Sequence, residues 1–200
     1  QGLFARMRRE GCTHVVMEVS SHALALDRVY GVFYKVGIFT NLTQDHLDFH
    51  GTMEDYCAAK ALLFRNCETG VCNAGDPWTP RLLENASCRV FTYAEAAEAD
   101  LRAEDVRLGP DHIAFTAAAG DSRVPVRVNI PGRFMVSNVL DVLGAALALG
   151  IPLEKSAAVL ADVPHVKGRV EVVPTPGRDY TVLIDYAHSP GSLENVLSSV

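Results

Sequence analysis

Glu18 in "MEVSSH", His46 in "TQDHLDFHG" and Lys60 in "YCAAKALLF" are the residues whose types and surroundings point to chemistry in this 200-residue sequence. Glu18 closes an apolar, β-branched run, where an unpaired carboxylate is costly to bury, so a cation or an ion-pair partner is expected to meet it. His46 and His50 stand four positions apart, with Asp45 and Asp48 beside them. Two histidines at that spacing can share a zinc ion, but no Glu follows the first as in HExxH. A cluster rich in carboxylate and carbonyl oxygen suits magnesium better. A plain polar turn capped by its histidines is an equal reading of this stretch. Lys60 is the odd member of a stripe: Met53, Tyr56, Cys57, Lys60, Leu63 and Phe64 recur at helical spacing, while Glu54, Asp55 and Arg65 take outward positions. A lysine held away from water has a lowered pKa. Its neutral amine adds carbon dioxide to become a carbamate, which turns the lone cation into an anionic oxygen ligand. The plainer alternative is a stem that packs and a head that snorkels to water.

The elements that must position these residues read as α/β. Residues 2–10 are helical in pattern and end at Gly11. "THVVMEVSS" reads as a buried strand, and "VGIFTNL" (36–42) as a second, with a crossover-length segment between them. In parallel, doubly wound sheets ligands gather beyond the carboxyl ends of strands, and both runs end in polar clusters there. "GVCNAGDP" reads as another strand with a turn, whereas residues 84–100 carry little pattern. From 105 to 130 short alternating runs separated by Gly-Pro and Gly-Asp turns predict a small antiparallel meander. "PGRFMVSNVLDVLGAALALG" predicts a helix capped at Ser137 or Asn138 and stopped at Gly150, with another helix from Pro152. "VPHVKGRVEVVPTPGRD" reads as a linker, followed by a strand, a polar turn and a helix start.

Bulk composition narrows the classes. The formal charge of −6, with 48% hydrophobic and 21% charged residues, gives no clustered basic face for nucleic acid. No apolar run is long enough for a membrane span. The five cysteines include no CxxC pair and are expected to be free thiols of a reducing cytoplasm. There is no GxxxxGK[ST] and no GxGxxG, so a phosphate cradle would have to lie upstream. The sequence opens on Gln1 inside a helical pattern and reads as cut from something longer.

"MEVSSHALALDRV", "FTNLTQDHLDFHGTMEDYCAAKALLF", "SNVLDVLGAALALG", "KGRVEVV" and "IDYAHSPGSLENVL" together resemble, in order, the Mur ligase family. The likeness is to the branch that adds the third amino acid of the peptidoglycan peptide. It implies a bacterial cytoplasmic enzyme that uses ATP and magnesium to join meso-diaminopimelate or L-lysine to UDP-MurNAc-L-Ala-D-Glu through an acyl phosphate. It further implies that residues 1–168 are most of a central ATPase domain of the P-loop type, and that 169–200 begin a Rossmann-like C-terminal domain. Carried over position by position, Glu18 and His46 match magnesium ligands, Lys60 the carbamylated lysine that joins them, and Tyr56 the tyrosine of a YxxAK motif. Ser20 and Arg28 match contacts to the UDP-sugar peptide, and Asn138, Arg169, Asp185 and His188 match nucleotide contacts. Met135 and Leu26 depart from the family pattern, which has Asn at the first position and, in some relatives, Gln at the second. Two other readings stand beside this one. A sibling ligase such as a cyanophycin-synthetase-like enzyme is argued against by "EVSSHAL…DRV". A non-catalytic module, or a piece inactive alone, is favoured by the missing phosphate loop.

Overall fold

The β-branched and aromatic runs of the sequence, punctuated by Gly, Asp and Pro turns, become the strands of one sheet. The computed structural model describes residues 2–164, 166–180, 182–188 and 190–198. In chain order the described elements are α1 (Gly2–Arg9), α2 (Ser21–Ala25), β1 (Tyr34–Phe39), α3 (Leu47–His50), α4 (Met53–Ala61), β2 (Cys67–Asn73) and α5 (Thr79–Leu83). They continue with β3 (Arg89–Ala94), β4 (Leu101–Leu108), β5 (Ile113–Ala119), β6 (Ser122–Val128), α6 (Phe134–Ala148) and α7 (Leu153–Leu160). A short unit of β7 (Glu171–Val173), β8 (Val182–Ile184) and α8 (Pro190–Leu197) closes the order.

The first six strands lie side by side in sequence order, β1 to β4 parallel and β4 to β6 antiparallel. The expected meander is therefore present, but it extends the parallel sheet. Only two register pairs join β3 to β4. Asp100 pins that short connection by accepting from the Thr92 backbone N–H (2.7 Å) and hydroxyl (2.8 Å). β7 and β8 pair antiparallel in a separate two-stranded sheet.

Helices cover both faces, as a parallel sheet requires. One core lies between the sheet and α6–α7, around Val71, Leu101, Ile113, Val136, Leu140 and Leu143. The other lies under α2, α4 and α5, around Phe39, Tyr56, Cys57, Phe64, Cys72 and Leu82. β2 sits between them, with Cys67 and residues 69–72 all buried. α6 approaches β2 so closely that a Cβ on Gly144 would lie 2.8 Å from Cγ1 of Val71. α6 ends as read, in a Schellman arrangement. Gly150 takes φ +76, its N–H reaches the Leu147 carbonyl, and the Ile151 N–H reaches that of Ala146.

Three expectations are corrected. Residues 13–20 form no strand: among the described residues no ladder partner meets them, and Val16 is 97% exposed. Apolarity marks a segment fit for a sheet, but a strand exists only where a neighbour supplies the hydrogen bonds. α6 begins at Phe134, one turn before Ser137 and Asn138, so neither caps it. It starts instead after the Pro131–Gly132 turn, where Arg133 pairs with Glu95 in the bend just past β3 (2.5 Å). Residues 89–94, which carried little pattern, form β3, whose inner positions Tyr93 and Ala94 are fully buried. The five cysteines are free, as expected.

Candidate active site

The carboxyl end of β1 is held by side chains from the strands behind it. Asn73 donates to the Thr40 carbonyl (2.9 Å), and the Tyr93 hydroxyl donates to that of Phe39 (3.3 Å). Buried Asp76 accepts the N–H groups of Leu42 and Trp78, each at 2.9 Å. The chain thus leaves the sheet on a fixed path into the "TQDHLDFH" turn. There His46 takes a left-handed backbone, φ 54° and ψ 25°, and opens α3. Asp45 accepts its N–H at 2.8 Å. α4 then starts on Thr52, whose hydroxyl oxygen accepts the Asp55 N–H (3.1 Å). Glu54 and Asp55 in the first turn favour the positive helix end. α2 starts on Ser20, which accepts the Ala23 N–H at 3.1 Å.

The starts of α2 and α3, the later turns of α4 and the end of β1 enclose a polar cleft of about 330 Å³, lined by Glu18, Ser20, Thr40, His46, Tyr56 and Lys60 among others. Glu18 is exposed there, so the expected cost of burying its carboxylate does not arise. His46 is exposed as well. Tyr56 is buried, and Lys60, half-buried, holds its Nζ 5.1 Å from the Tyr56 ring centroid. Burial lowers the Lys60 pKa, and Glu18 and Asp45 act in the opposite direction. The lowered direction is what a lysine that must shed its proton requires.

Among the described residues no three His, Cys, Asp or Glu side chains come close enough to hold a metal ion. Glu18 and His46 offer one oxygen and one nitrogen donor, and an unmodified Lys60 would repel a cation. A carbamate on Lys60 would supply the missing anionic oxygen, and the donor set would then suit magnesium.

The other expected residues fall elsewhere. Arg28 is exposed and does not line the cleft. Asn138, on α6, donates to Sδ of Met135 (3.6 Å). Arg169, Asp185 and His188 gather around the β7–β8 unit. There Asp185 accepts the N–H of Val170 (2.8 Å) and of Ala187 (2.7 Å). The Arg169 guanidinium lies 5.5 Å from the Tyr186 ring, and His188 Nδ1 is 2.8 Å from the Tyr186 carbonyl oxygen. Leu26, at the end of α2, is 48% exposed. Sequence reasoning did not assign His22, whose ring sits 4.2 Å from Phe49 and 5.0 Å from His46, or Asp76. The "SSH" and "GDP" stretches were the only signals available for them.

Residues 1–146 match the Mur ligase middle domain. The chain belongs to this family. A Mur ligase relative from Clostridium botulinum, UDP-N-acetylmuramoyl-L-alanyl-D-glutamate–2,6-diaminopimelate ligase, is 42% identical over all of this chain and 41% of its own length. A solved diaminopimelate ligase of the same name aligns with a TM-score of 0.82 and 28% identity over 96% of this chain and 40% of that one. The MurF ligase of Thermotoga maritima, crystallised with ADP, shares the fold: TM-score 0.74 and 18% identity over 90% of this chain and 42% of that one. The chain spans about two fifths of the length of the curated Mur ligase relatives it matches. No helix among the described residues is long and apolar enough to cross a membrane.

Proposed function

We propose that this chain is the catalytic core of an ATP-dependent amide ligase that adds 2,6-diaminopimelate to UDP-MurNAc-L-Ala-D-Glu in the bacterial cytoplasm. The observation that carries the reading is the meeting of Glu18, His46 and Lys60 in one cleft at the end of β1, in a chain 42% identical throughout to a ligase of that name. Residues 1–168 act as the central ATPase domain, and 169–200 open the domain that follows.

Lys60 works as a carbamate. Its neutral amine donates the nitrogen lone pair to carbon dioxide, a C–N bond forms, one C=O π pair moves onto oxygen, and the displaced proton passes to solvent. Glu18, His46 and the carbamate oxygen would hold magnesium, which supplies charge neutralisation for phosphoryl oxygens. The chain's own residues orient and screen. Tyr56 walls the Lys60 amine from bulk water, and Ser20 and Arg28 bind the UDP-sugar peptide. Asn138, Arg169, Asp185 and His188 bind the nucleotide. The substrate carboxylate attacks the γ-phosphoryl group of ATP and ADP leaves. The amine of diaminopimelate then attacks the acyl carbon, phosphate departs with the bond electrons, and the nitrogen gives up its extra proton to solvent. Electrostatic positioning carries such a reaction, and no covalent protein nucleophile is needed.

The test is Lys60→Ala in the full-length protein. Ligation is expected to fall by about 100-fold or more, the scale of losing one preorganised charge-stabilising group. Short carboxylates are expected to restore part of it. An unchanged rate would remove Lys60 from the mechanism.

A further inference from the structure

His50 stands between the two helices whose ends frame the cleft. Its Nε2 shares a 2.9 Å hydrogen bond with Oγ of Ser21, which is only 2% exposed at the start of α2. Its ring lies on Tyr56 of α4, centroids 5.0 Å apart and planes within 17°. Phe49 packs edge-on against the same imidazole at 4.8 Å, and the His22 ring lies 5.3 Å from it, centroid to centroid. On Tyr56, in turn, rests the Lys60 amine. The imidazole thus has one polar anchor and three ring neighbours, an arrangement that leaves it a single orientation.

We propose that His50 is a positioning residue for Lys60: it ties Ser21 of α2 to the Tyr56 ring and so fixes the wall against which the lysine amine is held for reaction with carbon dioxide. The inference rests on the carbamate reading of Lys60. Without the stacked imidazole the Tyr56 ring, otherwise packed in the core under α2 and α4, loses the contact on its cleft side, and the surface that keeps the amine beside Glu18 is less firmly set. Losing the Ser21 hydrogen bond frees the imidazole and has the same consequence at smaller scale. His50 touches neither the metal position nor the reacting carboxylate in this scheme. Its effect reaches chemistry only through Tyr56.

The experiment uses the full-length protein with ¹³C-bicarbonate and follows the carbamate carbonyl resonance by NMR, with Lys60→Arg as the blank. In wild type the resonance is expected to titrate with bicarbonate. Ser21→Ala is expected to raise the half-saturating bicarbonate about three-fold, and His50→Gln about ten-fold, the scales of one net hydrogen bond and of that bond with a ring contact. The double variant is expected to match His50→Gln alone, because both changes act through one imidazole. Thermal midpoints, measured in parallel, separate this from a loss of fold. Should His50→Gln unfold, Ser21→Ala, which removes only a hydroxyl, carries the test. Identical bicarbonate titrations in wild type and Ser21→Ala would overturn the positioning role while leaving the Lys60 carbamate standing. A wild type with no resonance above the Lys60→Arg blank would overturn the carbamate and this inference together.

Discussion

Single residues in this chain carry jobs that depend on what each has given up to water. Lys60 is held where burial favours its neutral form, and that form alone adds carbon dioxide. His50 is likewise pushed below the ordinary imidazole value, first by burial and then by its neighbours His22 and His46. Asp76 has a different task. Its carboxylate satisfies two backbone donors, one of them the buried N–H of Leu42, and so fixes the path from β1 to the histidine turn. Asp76→Ala leaves those donors unpaired and is expected to cost about 3 kcal/mol in denaturant unfolding. It is also expected to speed hydrogen exchange at Leu42. An unchanged midpoint would mean that water replaces the carboxylate without loss.

At the scale of elements, α6 is the wedge that sets the sheet, and it contains one residue at odds with its face. Asp141 is 9% exposed, on the buried side beside Leu140 and Gly144, and takes no hydrogen bond among the described residues. Burial pushes its pKa up to about 7. The folded carboxyl therefore holds its proton more tightly than the unfolded one between the ordinary value of 3.8 and about 7. Stability is fully present at the acid end of that window, falls as pH rises through it, and levels off above. Asp141→Asn removes the titration and is expected to flatten the curve, with a gain on the order of 3 kcal/mol at pH 8 and little at pH 4. Parallel pH dependences for the two proteins, read by thermal unfolding, would contradict the assignment. The helix boundaries themselves follow local chemistry where caps are strong. Thr52 starts α4 and Gly150 ends α6 as their residue types dictate, whereas Ser137 and Asn138 are overridden by the apolar turn that precedes them.

At the largest scale the chain is a three-layered α/β unit joined to a smaller β7–β8–α8 piece, and the proposed boundary at residue 168 falls between them. Lys167 and Arg169 are both exposed in the stretch between α7 and β7. Limited trypsin digestion is expected to cut there first and to leave the six-stranded sheet as a cooperatively unfolding product. First cuts within the sheet would place the boundary elsewhere.

Sequence alone determined much of this. The inward Lys60 was legible because a helix writes its faces at fixed spacing, and Glu18 and His46 because their types stand out at the ends of apolar runs. The parallel sheet and its meander were legible from alternation and turn residues. Those signals are local, and local periodicity survives without knowledge of neighbours. Tertiary structure decided the rest. It left residues 13–20 outside any ladder, made a strand of 89–94 and left Glu18 exposed. It also joined His50 to Ser21, 29 positions away, and Tyr93 to Phe39, 54 away. Such pairs are set by strand order and by which helix covers which face, and no spacing along the chain encodes either. The residue types of the proposed site were written in the sequence, and the fold brought them to one cleft.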